Sequence, residues 1–143
     1  MPGNDSNDPV VPPVSNEDRA RLLALAKSAL THAYAPYSKF QVGAAVLTES
    51  GAIYSGCNVE NSSYGLTNCA ERTAIFSAVA CEGPQMRIRA VAVWTNPEVP
   101  CAPCGACRQV IFEFGASAII LFQGLTGLSE VRASELLPQG FTL

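Results

Sequence analysis

Two cysteine motifs, each at the start of an apolar helix-like run, constrain this sequence more than any other feature. The motifs are Cys69-Ala70-Glu71 and Pro103-Cys104-Gly105-Ala106-Cys107. Cys104 and Cys107 are three residues apart and so lie on one helix face, where both thiolates can bind one tetrahedral ion. Cys69 and Glu71 are two residues apart and point in different directions, so the thiol can bind metal while the carboxylate stays free for proton transfer. Three ligands and a separate general base are what a catalytic zinc site requires.

Each part of this pattern has a simpler interpretation when it is taken alone. Glu71 could complete a capping box begun by Asn68, and Cys69 could be a small buried apolar residue. A single Cys-x-x-Cys also occurs in redox and structural zinc sites. The combination, with both cysteine groups at predicted helix starts, favours the Cys-only form of the nucleobase deaminase signature, in which a Glu moves protons between an activated water and the base ring.

Cys101 makes the ligand set ambiguous, because Cys101-Ala102-Pro103-Cys104 is a second, overlapping Cys-x-x-Cys. Proline at position 103 fits a helix start, which puts Cys101 upstream in a loop. We therefore predict Cys104 and Cys107 as the ligand pair. A closed structural zinc module with Cys101 as fourth ligand is the alternative from a different functional class.

Composition and charge limit the possible partners and compartment. The chain has 143 residues and a formal net charge of −3, so it offers no basic surface for a nucleic acid. No apolar run reaches membrane-spanning length. The N-terminus lacks the basic and apolar regions of a signal peptide, so we expect six reduced cysteines in the cytoplasm. Residues 1–14 are predicted to be a flexible tail and residues 15–143 a single domain.

The apolar periodicity predicts an α/β fold. Ser15 and Asp18 form a capping box before a first helix that ends by Pro36. The other predicted elements are a hairpin over 40–47 and 52–57, a helix over 69–81, a strand over 90–94, a helix over 104–114 and a strand over 118–122. The strand–helix–strand order predicts a right-handed crossover, and we expect a three-layer α/β/α sandwich around a mixed sheet of about five strands.

Five stretches give the chain a family resemblance. They are YSKFQVGAA at 37–45, GCNVEN at 56–61, CAER at 69–72, PCGACR at 103–108 and LLPQGF at 136–141. On these residues the chain strongly resembles the small homotetrameric cytidine deaminases, from about residue 17 to the C-terminus. The resemblance implies hydrolysis of cytidine, and by extension deoxycytidine, to uridine and ammonia in pyrimidine salvage. It also implies one Zn²⁺ per subunit and active sites shared within a homotetramer.

The resemblance assigns roles to individual residues. Cys69, Cys104 and Cys107 would bind zinc, and Glu71 would shuttle protons. Substrate contacts would come from Phe40 against the pyrimidine, Asn58 and Glu60 on the ribose, the Ala70 backbone on the base, and Phe141 and Tyr64 reaching a neighbouring subunit's pocket. From the residues alone, we expect Arg72 and Arg108 to donate to the ligand sulfur atoms and offset the charge of three thiolates, with ordinary surface ion pairing as their alternative.

Two related activities remain open at this point. A deaminase of another small aminopyrimidine compound, as in the blasticidin S deaminases, would share the zinc motif, although the loop Asn58-Val59-Glu60-Asn61 favours a ribonucleoside. A base-flipping nucleic-acid deaminase is disfavoured by the acidic charge balance.

Overall fold

Within residues 13–143, the core of the protein is a single mixed sheet of five strands. The computed structural model describes residues 13–143, so most of the predicted tail, residues 1–12, lies outside the described residues. The strands are β1 (Gln41–Thr48), β2 (Ile53–Cys57), β3 (Ile88–Asn96), β4 (Ile119–Gly124) and β5 (Gly127–Arg132). The helices are α1 (Asn16–Ala29), α2 (Ala70–Glu82), α3 (Gly105–Phe114) and α4 (Ala133–Leu136), with short 3₁₀ turns at Leu30–His32 and Tyr64–Leu66.

The strand order is β2-β1-β3-β4-β5, and only the β3–β4 pair is parallel. This confirms the predicted mixed sheet, the hairpin and the parallel crossover through α3. The position of β5 was not predicted from the sequence. Its residues are mostly exposed and it follows β4 after a two-residue turn, so this edge strand lacks the continuous apolar run that marks a buried strand.

Alternating side chains bury both faces of the sheet, which confirms the three layers. Val46 and Val91 belong to the cluster under α2 and α3, whereas Leu47 and Ala90 belong to the cluster under α1. Neighbouring residues in a strand point to opposite faces, so strands covered on both sides are apolar at nearly every position. Helix α1 therefore forms one outer layer, and α2 and α3 form the other.

The first helix begins as the sequence predicts. The Ser15 hydroxyl accepts a hydrogen bond from the Asp18 N–H at 3.0 Å, and the Asp18 carboxylate accepts one from the Ser15 N–H at 3.3 Å. The two residues before Ser15 contact the domain. Val14 packs against the apolar cluster under α1, and the Pro13 carbonyl accepts a hydrogen bond from Arg89.

The connections bring the starts of α2 and α3 to the same end of the sheet. Strands β2 and β3 are both antiparallel to β1, so they run in the same direction, and β4 is parallel to β3. Helix α2 connects β2 to β3, and α3 connects β3 to β4, so both helices begin beyond the carboxyl ends of strands that point the same way. A functional site is expected at the carboxyl ends of strands in an α/β sheet.

No helix within residues 13–143 has both the length and the apolar character needed to cross a membrane.

Candidate metal centre and active site

Three thiols meet where α2 and α3 begin. Cys69 is the N-cap residue of α2, Cys104 is the N-cap residue of α3, and Cys107 lies in the first turn of α3. Their Sγ atoms all lie within 4.8 Å of one another, and we call these three residues the thiol cluster. Cys107 is buried, Cys69 is half-buried and Cys104 is exposed, so one side of the cluster is open to solvent.

The spacing of the thiol cluster fits zinc. The Sγ atoms of Cys69 and Cys104 are 3.8 Å apart. Two thiolates on a tetrahedral zinc, each with a Zn–S bond of about 2.3 Å, have their sulfur atoms about 3.8 Å apart. Three soft donors with one open side leave a fourth position for a reacting molecule, as catalytic rather than structural zinc sites require.

Local charges favour a thiolate at Cys69. The Arg72 guanidinium donates a hydrogen bond to Cys69 Sγ at 3.2 Å. A hydrogen bond from the Cys107 thiol, together with Arg72, lowers the pKa of Cys69 to about 5, although partial burial opposes this shift. The same hydrogen bond to Cys69, with burial and the nearby Glu71 charge, raises the pKa of Cys107. A cation bound by the cluster would favour the thiolate forms, because metal ligands must be deprotonated.

Glu71 lies in the first turn of α2 and is buried, with only 4% of its surface exposed. Its Oε2 atom lies 3.5 Å from Cys107 Sγ. Burial raises the pKa of Glu71, and the nearby Cys69 charge adds to the effect. The capping-box alternative for Glu71 is wrong, because Cys69 rather than Asn68 is the N-cap residue and the Asn68 amide donates to Thr73 instead.

Cys101 is not a member of the thiol cluster among residues 13–143. Its N–H donates to the Gln123 carbonyl, which ties the preceding loop to β4. Arg108 hydrogen-bonds backbone carbonyls and not, as expected from the sequence, a cluster sulfur atom. It donates to the backbone carbonyls of Pro103 at 2.7 Å and Leu136 at 3.2 Å, and so connects the start of α3 to the C-terminal segment.

The predicted ribose loop is joined to the metal motif by backbone hydrogen bonds. Val59 and Asn68 form an antiparallel bridge, with N–H to carbonyl distances of 3.0 and 2.9 Å. Because Asn68 directly precedes Cys69, this bridge brings Asn58 and Glu60 beside the start of α2. The Glu60 carboxylate accepts the N–H groups of Tyr37 at 2.9 Å and Ser38 at 3.2 Å. Hydrogen bonding, first from the Ser38 side chain, lowers the pKa of Glu60 despite some desolvation.

Asn58 holds the segment that carries Phe40. Its Oδ1 atom accepts the Val42 N–H and its Nδ2 atom donates to the Phe40 carbonyl, both at 2.8 Å. The side chain is buried, and one Nδ2 hydrogen remains beyond the bond to Phe40. Asn58 is therefore positioned to fix Phe40 and to offer one further donor.

Three predicted contact residues differ sharply in exposure. Ala70 is fully buried at the first position of α2, where the helix N–H groups lack intrahelical partners. Tyr64 and Phe141 are 75% and 66% exposed. The Phe141 carbonyl accepts a hydrogen bond from Gln109 on α3, which fixes the C-terminal backbone near the start of that helix.

Sequence reasoning did not identify Tyr37 as a site residue. Its ring packs edge-on against Tyr64 with centroids 5.7 Å apart, and its hydroxyl hydrogen-bonds Ser62 at 2.7 Å. The available signal was its place at the start of the YSKFQVGAA stretch, four residues before β1. Tyr37 links the loop that carries Glu60 to the exposed Tyr64.

A metal ion held by the three thiols could activate a water beside the buried Glu71 carboxylate. That arrangement, open to a small molecule on one side, suits hydrolytic removal of an amino group from a base ring. The class that uses a Cys₃ zinc site with a non-ligand Glu is the zinc-dependent nucleobase deaminases. The family model described as the cytidine and deoxycytidylate deaminase zinc-binding region matches residues 16–123. The chain belongs to this family.

Similar proteins agree with this assignment over most of the chain. Cytidine deaminase from Sporosarcina psychrophila is 50% identical over 127 residues, covering 87% of this chain and 92% of the relative. The solved structure of cytidine deaminase from Mycobacterium tuberculosis matches with a TM-score of 0.77 and 40% identity, covering 88% of this chain and 98% of that one. Cytidine deaminase from Burkholderia pseudomallei matches with a TM-score of 0.76 and 46% identity, covering 85% and 98%.

Proposed function

We propose that this protein is a zinc-dependent cytidine deaminase that converts cytidine, and deoxycytidine, to uridine or deoxyuridine and ammonia. The observation that carries the proposal is the buried Glu71 carboxylate 3.5 Å from Cys107 Sγ, at the closed side of a three-thiol cluster. We assign one zinc ion per subunit to Cys69, Cys104 and Cys107. The names of relatives that are 50% and 49% identical to this chain support cytidine as the substrate.

The reaction adds water to C4 of the pyrimidine and removes the amino group. A zinc ion held by the thiol cluster would supply the Lewis acidity that lowers the pKa of a water molecule toward 7. Glu71 accepts a proton from the attacking water and delivers it to N3 of the ring as the C4–O bond forms. Glu71 then carries the second water proton to the amino group, the C4–N bond breaks, and ammonia leaves.

Other residues of the chain hold the substrate in this proposal. Glu60 and the remaining Nδ2 hydrogen of Asn58 bind ribose hydroxyls, since together they offer an acceptor and a donor to a diol. Phe40, fixed through its carbonyl by Asn58, packs against the pyrimidine. The backbone of Ala70 contacts the base. Arg72 offsets the negative charge of the thiolates, while Arg108 stabilises the start of α3 through Pro103.

We also propose a homotetramer with shared active sites, in which Tyr64 and Phe141 reach a neighbouring subunit's pocket. Support comes from the large exposed fractions of Tyr64, Leu66 and Phe141, at 75%, 70% and 66%. Exposed apolar groups of this size commonly mark an interface. Deleting residues 139–143 should raise KM for cytidine and leave zinc in place, and light scattering that shows an active monomer at assay concentration would contradict the shared site.

The thiol cluster also supports a location. Three reduced cysteines are required for metal binding, which favours a reducing compartment such as the cytoplasm. We therefore propose a cytoplasmic enzyme of pyrimidine salvage.

The test of the proposed activity is ammonia release from cytidine by zinc-loaded protein, combined with zinc content and the variant Glu71→Gln. We expect Glu71→Gln to retain zinc and to lose at least the roughly 10²- to 10⁴-fold that a general acid–base contributes. Glu113→Gln, the same change at an exposed position of α3, is the matched control and should keep full activity. Turnover of blasticidin S without turnover of cytidine would refute the proposed substrate, and near-normal activity of Glu71→Gln would refute the proton-shuttle role.

A further inference from the structure

Asn68 lies between the predicted ribose loop and the metal ligand Cys69, and its hydrogen bonds reach both sides. Its backbone N–H donates to the Val59 carbonyl at 2.9 Å, and its backbone carbonyl accepts the Val59 N–H at 3.0 Å. Its side-chain Nδ2 atom donates to the Thr73 hydroxyl at 3.1 Å. One residue therefore contacts the ribose loop through its backbone and helix α2 through its side chain.

The Thr73 hydroxyl extends this connection to the metal ligand. It donates to the Cys69 carbonyl at 3.2 Å, and the Thr73 N–H donates to the same carbonyl at 3.1 Å. A hydroxyl has one hydrogen to donate and two lone pairs that accept, so the bond from Asn68 and the bond to Cys69 are compatible. The Asn68 amide, the Thr73 hydroxyl and the Cys69 carbonyl form a continuous chain, which we call the amide–hydroxyl link.

Helix α2 lacks the usual side-chain cap because its N-cap residue belongs to the thiol cluster. The side chain of an N-cap residue normally accepts an N–H group of the first turn. Among residues 13–143, the Cys69 side chain makes no capping hydrogen bond, and its Sγ atom lies in the thiol cluster instead. Cysteine reaches its sulfur through a single rotatable side-chain bond, so the position of Sγ follows the backbone that Thr73 holds.

The ribose loop is held on its other side by Tyr34. The Tyr34 N–H donates to the Asn58 carbonyl at 3.0 Å, and the Glu60 N–H donates to the Tyr34 carbonyl at 2.8 Å. The loop backbone is therefore fixed between Tyr34 and Asn68, and the Asn68 side leads directly to Cys69. The spacing between the loop and this ligand depends on the backbone bridge at Asn68 and on the amide–hydroxyl link.

This spacing affects a substrate that must reach both parts of the site. In the proposed function, Glu60 holds the ribose while Glu71 moves protons at the ring. The ribose can orient the ring only if the loop and the start of α2 keep their separation. Binding energy from a non-reacting part of a substrate raises turnover through such orientation. A change in the separation should therefore harm the reaction of a nucleoside more than that of a free base.

We propose that Asn68 is a positioning residue that acts through Thr73 and fixes the metal ligand Cys69 relative to the ribose loop. Asn68 does not touch the substrate in this arrangement. The substrate part of the proposal rests on the proposed cytidine deaminase activity, whereas the metal part does not.

The first measurement is zinc affinity, obtained by competition with a chelator for the purified full chain and its variants. Thr73→Val keeps nearly the shape of threonine but lacks the hydroxyl, and Asn68→Ala removes the amide donor. We expect each change to weaken zinc binding about tenfold, as is typical when a group that orients a metal ligand is lost. Thr73→Ser keeps the hydroxyl and should remain within about threefold of the parent. The double variant should bind zinc within about threefold of Thr73→Val, because both changes break the same link.

The second measurement is the ratio of kcat/KM for cytidine to kcat/KM for cytosine, with zinc at saturation. We expect Asn68→Ala and Thr73→Val to lower this ratio at least about fivefold, because cytosine has no ribose to misplace. A role confined to folding would lower both kcat/KM values together and leave the ratio unchanged.

Thr31→Val is the matched control for the loss of a hydroxyl. The Thr31 hydroxyl also donates to a backbone carbonyl, that of Ser28 at 2.7 Å, and Thr31 is exposed. This variant should keep its zinc affinity and its substrate ratio within about twofold of the parent protein.

Three results would overturn the proposal. The first is parent-like zinc affinity in both Asn68→Ala and Thr73→Val. The second is zinc binding by Thr73→Ser as weak as that by Thr73→Val, which would assign the effect to packing rather than to the hydroxyl. The third is an unchanged substrate ratio in the zinc-saturated variants. Failure of the parent protein to release ammonia from cytidine would instead refute the proposed activity, and the zinc measurement would still decide whether the amide–hydroxyl link positions Cys69.

Discussion

A single methyl group at Gly56 should damage both stability and the metal site. Gly56 is a buried residue of β2 that lies directly under the first turns of α2. A Cβ atom placed there would lie 2.4 Å from the Ala74 backbone nitrogen, 2.8 Å from the Ala70 carbonyl oxygen and 2.9 Å from Thr73 Cβ. Two of these three atoms belong to the helix backbone, so no side-chain rotation can remove the clash.

The size of the effect follows from these distances. Ordinary contact begins at 3.4 Å, so the closest atom must retreat by about 1 Å. Overpacking of this kind costs typically 1–3 kcal/mol, and we expect Gly56→Ala to fall near the upper end because a helix backbone must move. Ala70 lies between Cys69 and Glu71, so the same movement displaces a ligand and the proton shuttle. A misplacement of about 1 Å at reacting groups can reduce turnover about 10²-fold.

Three measurements on purified protein check this reasoning. Urea denaturation gives the free energy of unfolding, metal analysis gives the zinc content, and ammonia release gives kcat/KM. Ser55→Ala is the matched control, because Ser55 is the preceding residue of β2 and its side chain is exposed. We expect that control to remain within about 0.5 kcal/mol of the parent protein. If Gly56→Ala matched the control in stability, zinc content and turnover, the close approach of β2 and α2 would not be needed for the site.

Three further predictions follow from single side chains. The Cys101→Ala variant should retain one zinc per chain, whereas a variant with alanine at any residue of the thiol cluster should lose zinc and activity together. Loss of metal from the Cys101 variant would restore the structural-zinc alternative. Glu60→Ala should reduce the preference for cytidine over cytosine at least about tenfold. Glu60→Gln keeps an acceptor for the Tyr37 N–H, so it separates the loss of ribose contacts from a loosened loop. Equal kcat/KM for cytosine and cytidine in the parent protein would remove Glu60 from the site. Glu82→Gln should destabilise the protein by roughly 1 kcal/mol at pH 7, because hydroxyl hydrogen bonds lower the pKa of Glu82 against an opposing effect of burial. The lowered folded-state pKa of Glu82 stabilises the protein above the unfolded-state pKa of about 4.3, and this stabilisation is lost as the pH falls. The difference in unfolding free energy between Glu82→Gln and its parent should therefore disappear in acid. A difference that did not depend on pH would contradict the prediction.

The metal motif shows why local sequence predicted much of this protein. The ends of α2 and α3, and the separation of Cys69 from Glu71, depend on helix periodicity and on terminating residues such as Gly83 and Gly115. The apolar runs of β3 and β4 were equally visible, because a strand buried on both faces needs apolar side chains throughout. Strand β5 was not visible, since an exposed edge strand has no such requirement.

The sequence by itself determined the donor atoms, the helix starts that carry them and the α/β class, because these depend on residue identity and on contacts within a few residues. The tertiary structure decided that the thiol cluster excludes Cys101, that Arg108 donates to the Leu136 carbonyl instead of a cluster sulfur, and that Asn58 holds the backbone of Phe40. These outcomes depend on how the strands pair and where α2 and α3 begin. Cys69 and Cys104 are 35 positions apart and Phe40 and Asn58 are 18 apart, so these pairs become neighbours only when the core packs.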